Sequence, residues 1–271
     1  MARKLFCELC PLTYELSRRK GIMARHIRDF FAPSPFARRR SAEPLPVLLF
    51  RHASLIRRRL GNVDARLQEN KAVNLALAAP HVSGILIRPG EVFSFWKLVG
   101  PTSARKGYRE GLMIKRGVPS QGIGGGLCQF TNLIHWMVLH SPLEIVEHHH
   151  HDGVDLFPDS GRHIPFGTGT SISYNYLDYR FQNPTDAVFQ LLVWTTDTHL
   201  RGELRSDREC PCAWHVRSEE EAFVREGERV YRNNVIIRDR VDKRTGSLLS
   251  RERLKENHAL VMYDVPEALI R

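Results

Sequence analysis

The run Ile123-Gly124-Gly125-Gly126-Leu127-Cys128-Gln129-Phe130 sets three glycines and one cysteine directly ahead of an apolar segment. In that segment Phe130, Leu133, Ile134, Met137, Val138 and Leu139 recur at helical spacing, and Ser141-Pro142 stops the pattern. The chain must therefore turn sharply and enter a helix at once, with the thiol at the helix start. Partial positive charge at a helix N-terminus favours thiolate over thiol. This matters because a free thiol, with a pKa of about 8.5, is only a few per cent ionised at neutral pH. Glycines also admit positive φ and let a substrate carbonyl approach peptide N–H groups. The pattern points to Cys128 as a nucleophile. The competing reading is a tight turn into a buried helix, with the thiol acting as a small hydrophobe.

A chain of 271 residues, 42% hydrophobic, can bury a substantial core in one or two domains. It contains no apolar run of about 18 residues, the length that marks a membrane-spanning helix. The start, Met1 to Glu8, has basic residues with no apolar stretch behind them, which is not the pattern of a secretory signal. The expectation is a cytoplasmic protein. Residues 1–60 hold 14 Lys and Arg against 4 Asp and Glu, while the remaining 26 basic and 26 acidic residues cancel. The net charge of +10 thus sits entirely in the N-terminal arm. Such an arm suits an anionic membrane surface, at the inner face of the membrane, or a solvated basic helix. No zinc finger or RNA-recognition motif accompanies it, so nucleic acid is not expected as a partner.

Five cysteines in a chain of this length do not make a disulfide framework. Cys7, Cys10, Cys210 and Cys212 would have to meet across 200 residues to form a four-sulfur zinc site, and the second spacing is short for one. No resident metal or cofactor is expected.

Three segments are expected: a basic, mainly helical extension over 1–64, a central domain over 65–205, and a β-rich extension over 206–271. Residues 1–32 read as amphipathic helix, and prolines between 33 and 46 read as linker. Ala65 to Ala79 carries strong helix formers and is expected to stop at Pro80. Short strands are expected at 84–88, 92–95, 112–115, 143–151, 187–195, 199–205 and 229–239. Another is expected over 171–181, with a bulge near Leu177. The predicted class is α+β, with a mixed, largely antiparallel sheet, a central helix after the glycine-rich motif and the basic helical N-terminal extension.

His148-His149-His150-His151 supplies the imidazole that a cysteine nucleophile needs within reach. On a strand, His149 and His151 point to one face and His148 and His150 to the other. His149 and His151 are the candidate bases. A metal reading competes, with His149, His151, Asp152, Asp155 and His163 as ligands, but consecutive histidines lack the helical spacing of a strong metal motif. Trp96, Trp136, Tyr174 and Tyr176 fit a core better than a ligand shelf.

Several motifs in order resemble the VanW family, which takes its name from an accessory gene of vancomycin-resistance clusters. They are Pro89-Gly90-Glu91-Val92-Phe93-Ser94-Phe95, Val99-Gly100-Pro101, Gly107-Tyr108, Gly124 to Gln129, Glu147 to His151, and Asp178-Tyr179-Arg180-Phe181-Gln182-Asn183. The resemblance covers residues 70–205. It implies a role at cell-wall peptidoglycan or in glycopeptide resistance, with a peptidoglycan precursor or stem peptide as partner. Some proteins of the family are L,D-transpeptidases that use the cysteine of the glycine-rich motif, which here is Cys128. The family's acidic residue matches Glu147, and its two histidines match His149 and His151. His148 stands where the family has arginine, and His163 follows Gly161-Arg162 where it has aspartate. The implied site is Cys128, His149 and His151 for catalysis, with Gly124, Gly125, Gly126, Leu127, Gln129 and Arg162 binding substrate; Asp178 is the candidate to orient a histidine. The alternatives are a non-catalytic protein that recognises wall precursors, and a His/Asp metal-binding domain. Secreted wall enzymes carry an export signal or anchor, and neither pattern is seen here, so the expectation is either work on cytoplasmic precursors, with the basic arm at the inner leaflet, or a protein that has lost the transferase role and binds a ligand or partner.

Overall fold

The computed structural model describes residues 6–58, 64–115, 118–150, 153–159 and 164–271. In chain order the elements are α1 (Pro11–Phe30), β1 (Val47–Leu55), α2 (Ala65–Val82), β2 (Ile85–Ile87), β3 (Val92–Ser94) and α3 (Phe95–Val99). Then come β4 (Glu110–Lys115), β5 (Val118–Ile123), α4 (Cys128–Leu139), β6 (Glu144–Glu147) and β7 (Val154–Asp155). The last are β8 (Arg180–Gln182), β9 (Phe189–Thr195), β10 (His199–Ser206), β11 (Cys212–Glu226), β12 (Arg229–Asp242) and β13 (Leu248–Val261). The class is α+β, and all strand pairings but that of β13 with β7 are antiparallel. No helix among the described residues is long and apolar enough to cross a membrane.

The periodic apolar face of α4 does what its spacing predicts. Phe130, Leu133, Ile134, Met137 and Val138 are all sealed in one core with Leu75 and Ala78 of α2 and with Leu191, Val193, Leu200 and Leu204 of the sheet β1-β10-β9-β2. Full burial of each such large side chain contributes about 1.5–3 kcal/mol. α4 is therefore a rigid post, and its first residue is held in place by everything behind it.

Four expectations are corrected. Residues 47–55, part of the extension expected to be mainly helical, form the edge strand β1, paired antiparallel with β10 from Val47↔Ser206 to Leu55↔His199. α2 runs through Pro80 to Val82 instead of stopping before it. The proline lies in the last turn, and Arg40 donates to the helix-end carbonyls of Pro80 and His81, which have no acceptor role within α2. Residues 171–181 are not a continuous strand. A turn closed by Ser173↔Leu177, with Asn175 at φ 43°, interrupts them, and only Arg180–Gln182 pairs as β8. Likewise 143–151 is strand only as β6; His148, His149 and His150 follow it in irregular backbone.

The C-terminal residues form a second sheet, in the order β11-β12-β13-β7. Through β7, which follows the histidine run, this sheet is stitched to the central residues, with Leu260↔Val154 and Val261↔Asp155 in register.

Candidate functional site

The glycine run is dictated by close packing on all three residues. A Cβ on Gly124 would lie 2.6 Å from Thr102, one on Gly125 2.2 Å from the backbone of Gly111, and one on Gly126 2.3 Å from Cγ of Lys71. Gly124 and Gly126 also adopt φ of 79° and 90°. Asn74 of α2, fully buried, fixes the loop: its Nδ2 donates to the carbonyls of Arg109 and Gly125, each at 2.9 Å. The glycines therefore have a structural reason independent of substrate approach.

Cys128, the first residue of α4, is half-buried and lines two cavities, of about 520 and 820 Å³. The cavities share Gly126, Cys128, His150 and the strand residues Leu112 to Ile114 as walls. Burial pushes the thiol pKa up, and this outweighs the backbone N–H groups of Ile172 and Cys128, which favour thiolate. The expected acidification is not found: the resting group is a thiol. A helix N-terminus and two amides stabilise sulfur charge only where solvent loss does not cost more.

Among the described residues, the imidazole that shares both cavities with Cys128 is His150. His148 packs against it with the rings tilted by 57° and their centroids 3.9 Å apart, and His135 of α4 packs against His148 at 4.1 Å with a tilt of 37°. Nδ1 of His135 is hydrogen-bonded to the buried Tyr179 hydroxyl at 3.1 Å, and Nε2 of His148 donates to the Gly169 carbonyl at 3.1 Å. A column of rings thus runs from the core to the cavity wall. Burial, reinforced by His150, depresses the His148 pKa to about 3, and burial with His148 beside it drives His135 well below the ordinary imidazole range.

His149 turns the other way. Its Nε2 sits 2.8 Å from Oε1 of Glu147, and it is absent from the walls of both cavities that hold Cys128. Irregular backbone after β6 keeps the alternation of sides while moving the cavity-facing member to His150. His151 and Arg162 lie outside the described residues, as do Asp152 and His163 of the metal reading.

Glu147 anchors a charged cluster. Arg25 of α1 donates to both its oxygens, the Asp178 N–H donates to Oε1 at 2.9 Å, and Arg180 approaches to 3.5 Å. Burial raises the Glu147 pKa, but Arg25, His149 and the Asp178 amide together hold it below the usual carboxylate value. Asp178, fully buried, accepts from Ser94 Oγ at 2.5 Å, from the N–H groups of Trp96 and Tyr179, and from Arg180 Nε at 2.7 Å. These contacts make it a keystone between β3, α3 and β8; it orients no histidine among the described residues.

Gln129 lines the smaller cavity, but its Nε2 donates to Ser54 Oγ and the Leu55 carbonyl, both at 2.9 Å, and so clamps β1 to α4. Leu127 lines the larger cavity and is itself buried in the core. Trp96 and Trp136 are buried, and Trp96 lines the larger cavity together with Tyr174 and Tyr176. Asp155 is taken up by Arg232 at 3.2 Å and by the Tyr263 hydroxyl at 2.8 Å. Among the described residues no three His, Cys, Asp or Glu side chains group as metal ligands, and Cys7, Cys10, Cys210 and Cys212 form no disulfide.

Two walls were not foreseen. Lys255 to Ala259 of β13 line the smaller cavity, so the C-terminal sheet completes it. Tyr14, Glu15 and Arg18 of α1 line the larger one. The local signal of a polar wall was Lys71 and Asn74 on the buried face of α2; nothing comparable marks residues 255–259 or α1.

The family model described as "VanW like protein" matches residues 70–205. The Vancomycin B-type resistance protein VanW of Enterococcus faecalis (strain ATCC 700802 / V583) is 32% identical over 225 residues, 83% of this chain and 82% of that protein. The Uncharacterized protein YoaR of Bacillus subtilis (strain 168) is 31% identical over 115 residues, 42% of this chain and 36% of that protein. No solved structure matches the chain. With half the chain matched by the family model and a relative alike over most of its length, the chain belongs to the VanW family.

Proposed function

We propose that the protein acts on peptidoglycan stem peptides by cysteine acyl transfer of the L,D-transpeptidase type, in support of glycopeptide resistance. The observation that carries this reading is the sharing of one pair of cavities by Cys128 and His150 at the end of the glycine loop. The resistance named for the E. faecalis relative supplies the biological setting.

Because burial keeps the thiol protonated, the nucleophile forms only as it reacts. His150 takes the Sγ proton while sulfur attacks the carbonyl of an L-centre in the stem peptide. Peptide N–H groups around Leu127 and Cys128 hold the tetrahedral oxyanion, each such donor contributing about 3 kcal/mol in comparable enzymes. The C–N bond then breaks, and the imidazolium returns its proton to the departing D-amino acid. An acceptor amine, or water, attacks the thioester and releases Cys128 as thiol. A depressed His148 pKa keeps the ring behind His150 neutral, so the column does not repel the imidazolium that forms.

A second reading, a binding module for wall precursors, draws on the protonated thiol and on the packing reason for every glycine. Cys128→Ala separates the two. An enzyme loses stem-peptide cleavage and covalent trapping by a carbapenem while keeping its fold. A binding module keeps its affinity for precursor and shows no wild-type turnover to lose.

A further inference from the structure

Lys71 lies in the middle of α2 and is only 8% exposed, yet its side chain forms part of the wall of the smaller cavity beside Cys128. Its stem runs against Gly126, where any side chain would collide with it. Among the described residues its ammonium has neither hydrogen bond nor carboxylate partner, although a buried cation is ordinarily paired. We infer that Lys71 is the anchor for a ligand carboxylate, placing the free C-terminal or side-chain acid of a peptide in the cavity that Cys128 lines. Burial, with Arg58 and Arg57 nearby, lowers its pKa to about 7, the condition of a site waiting for its counter-ion. The peptide class rests on the acyl-transfer reading; the carboxylate preference does not.

The test therefore uses a small probe that cannot be turned over. Backbone-amide NMR of Gly125 and Gly126, which every variant retains beside residue 71, is followed in the full chain during titration with N-acetyl-D-alanine and with its amide. The acid is expected to give a saturable shift at least tenfold tighter than the amide, and Lys71→Met to abolish that difference. Lys71→Arg, which keeps the charge, retains part of it and serves if the methionine variant does not fold. Equal response to acid and amide in the wild type, or an acid preference that survives Lys71→Met, would overturn the assignment. Loss of stem-peptide cleavage alone would not, since it bears on Cys128.

A different observation concerns α1, which is inside out. Arg18, Gly21, Arg25 and Asp29 face the protein, where Arg25 meets Glu147 and Asp29 takes two bonds from Arg180, at 2.6 and 2.9 Å. The opposite side carries Leu12, Leu16, Met23, Ile27 and Phe30, all exposed, within about 60° of arc at 100° per residue. Phe30 and Phe31 are 82% and 75% exposed. A helix of a globular protein ordinarily turns its apolar stripe to the core. Here the stripe is flanked by exposed Arg19, Lys20 and Arg28, at the end of the chain that holds the whole excess of positive charge. The geometry points to α1 as an in-plane anchor on an anionic lipid surface, apolar ridge in the acyl boundary and basic flanks among the headgroups.

Sedimentation of the full chain with phosphatidylcholine vesicles, with and without about one third phosphatidylglycerol, tests this. Binding is expected to the anionic vesicles and to fall at least tenfold in Met23→Ser/Ile27→Ser/Phe30→Ser, whose exposed positions leave the fold intact. Failure of the wild type to bind anionic vesicles would overturn it. So would a concentration-dependent dimer that the same triple variant dissolves, since the ridge would then be covered by a second copy.

Discussion

Arg25 of α1 and Glu147 at the end of β6 form a two-pronged ion pair, although 122 residues separate them in the chain. The pair is nearly sealed, with side-chain exposures of 11% and 15%, and it fixes α1 against the segment that carries the histidines. Arg25→Ala leaves Glu147 with reduced compensation, and a loss of about 3 kcal/mol is expected from breaking a buried pair. Hydrogen exchange should show α1 opening while the core helix α4 keeps its protection. Unchanged exchange in α1 would mean that its docking depends on other contacts.

The imidazole column makes the fold sensitive to mild acid. His148 and His135 have folded pKa values below the unfolded value of about 6.5, so the unfolded chain binds the extra protons. Stability is therefore full above about pH 6.5 and falls as pH drops below it, by about 2 kcal/mol at pH 5 from His148, with His135 adding to the decline. Urea unfolding at pH 7.5 and 5 should show this decline, and His148→Phe should make it smaller. The carboxylates Asp29 and Glu147, held low by Arg180 and Arg25 against their burial, add their own loss only under stronger acid.

Close approach at the glycine loop predicts unequal costs of adding one methyl group. At Gly125 the Cβ would strike the Gly111 backbone, which cannot rotate away. At Gly90 nothing lies within 4 Å and only the positive φ of 77° is strained. Gly90→Ala is expected to cost about 1 kcal/mol and Gly125→Ala more than 3 kcal/mol, read from denaturant midpoints. Similar costs at the two positions would mean that backbone strain, and not packing, governs the loop.

Much of this was legible in the chain, for physical reasons. The α4 stripe was readable because a buried helix writes its own period, and the order of the glycine, glutamate–histidine and Asp178-to-Asn183 motifs carried the family. What was not legible depends on distant partners. Nothing local marks Arg25 as the mate of Glu147, or residues 255–259 as a cavity wall. Among the described histidines of that run, which one faces the cavity depends on where β6 ends: His149 turns to Glu147 and His150 lines the wall, a placement the repeated residue type does not mark. The acid shift expected of Cys128 considered the helix terminus and left out desolvation, which dominates.

Arg232 of β12 ties the second sheet to the cavity. It is almost fully buried and pairs with Asp155, Asp159 and Glu221. Arg232→Leu would crowd three carboxylates without a cation, with an expected loss of about 3–5 kcal/mol. Because β7 and β13 wall the smaller cavity, the acid-over-amide preference for N-acetyl-D-alanine should weaken as well. A folded variant with that preference intact would detach the C-terminal sheet from the site.

The most direct test is intact-protein mass spectrometry after incubation with a tetrapeptide stem. An acyl adduct located on Cys128 is predicted, lost in Cys128→Ala and reduced at least tenfold in His150→Ala, with His149→Ala leaving it largely in place. No adduct under conditions in which iodoacetamide labels Cys128, or an adduct indifferent to His150, would contradict the account.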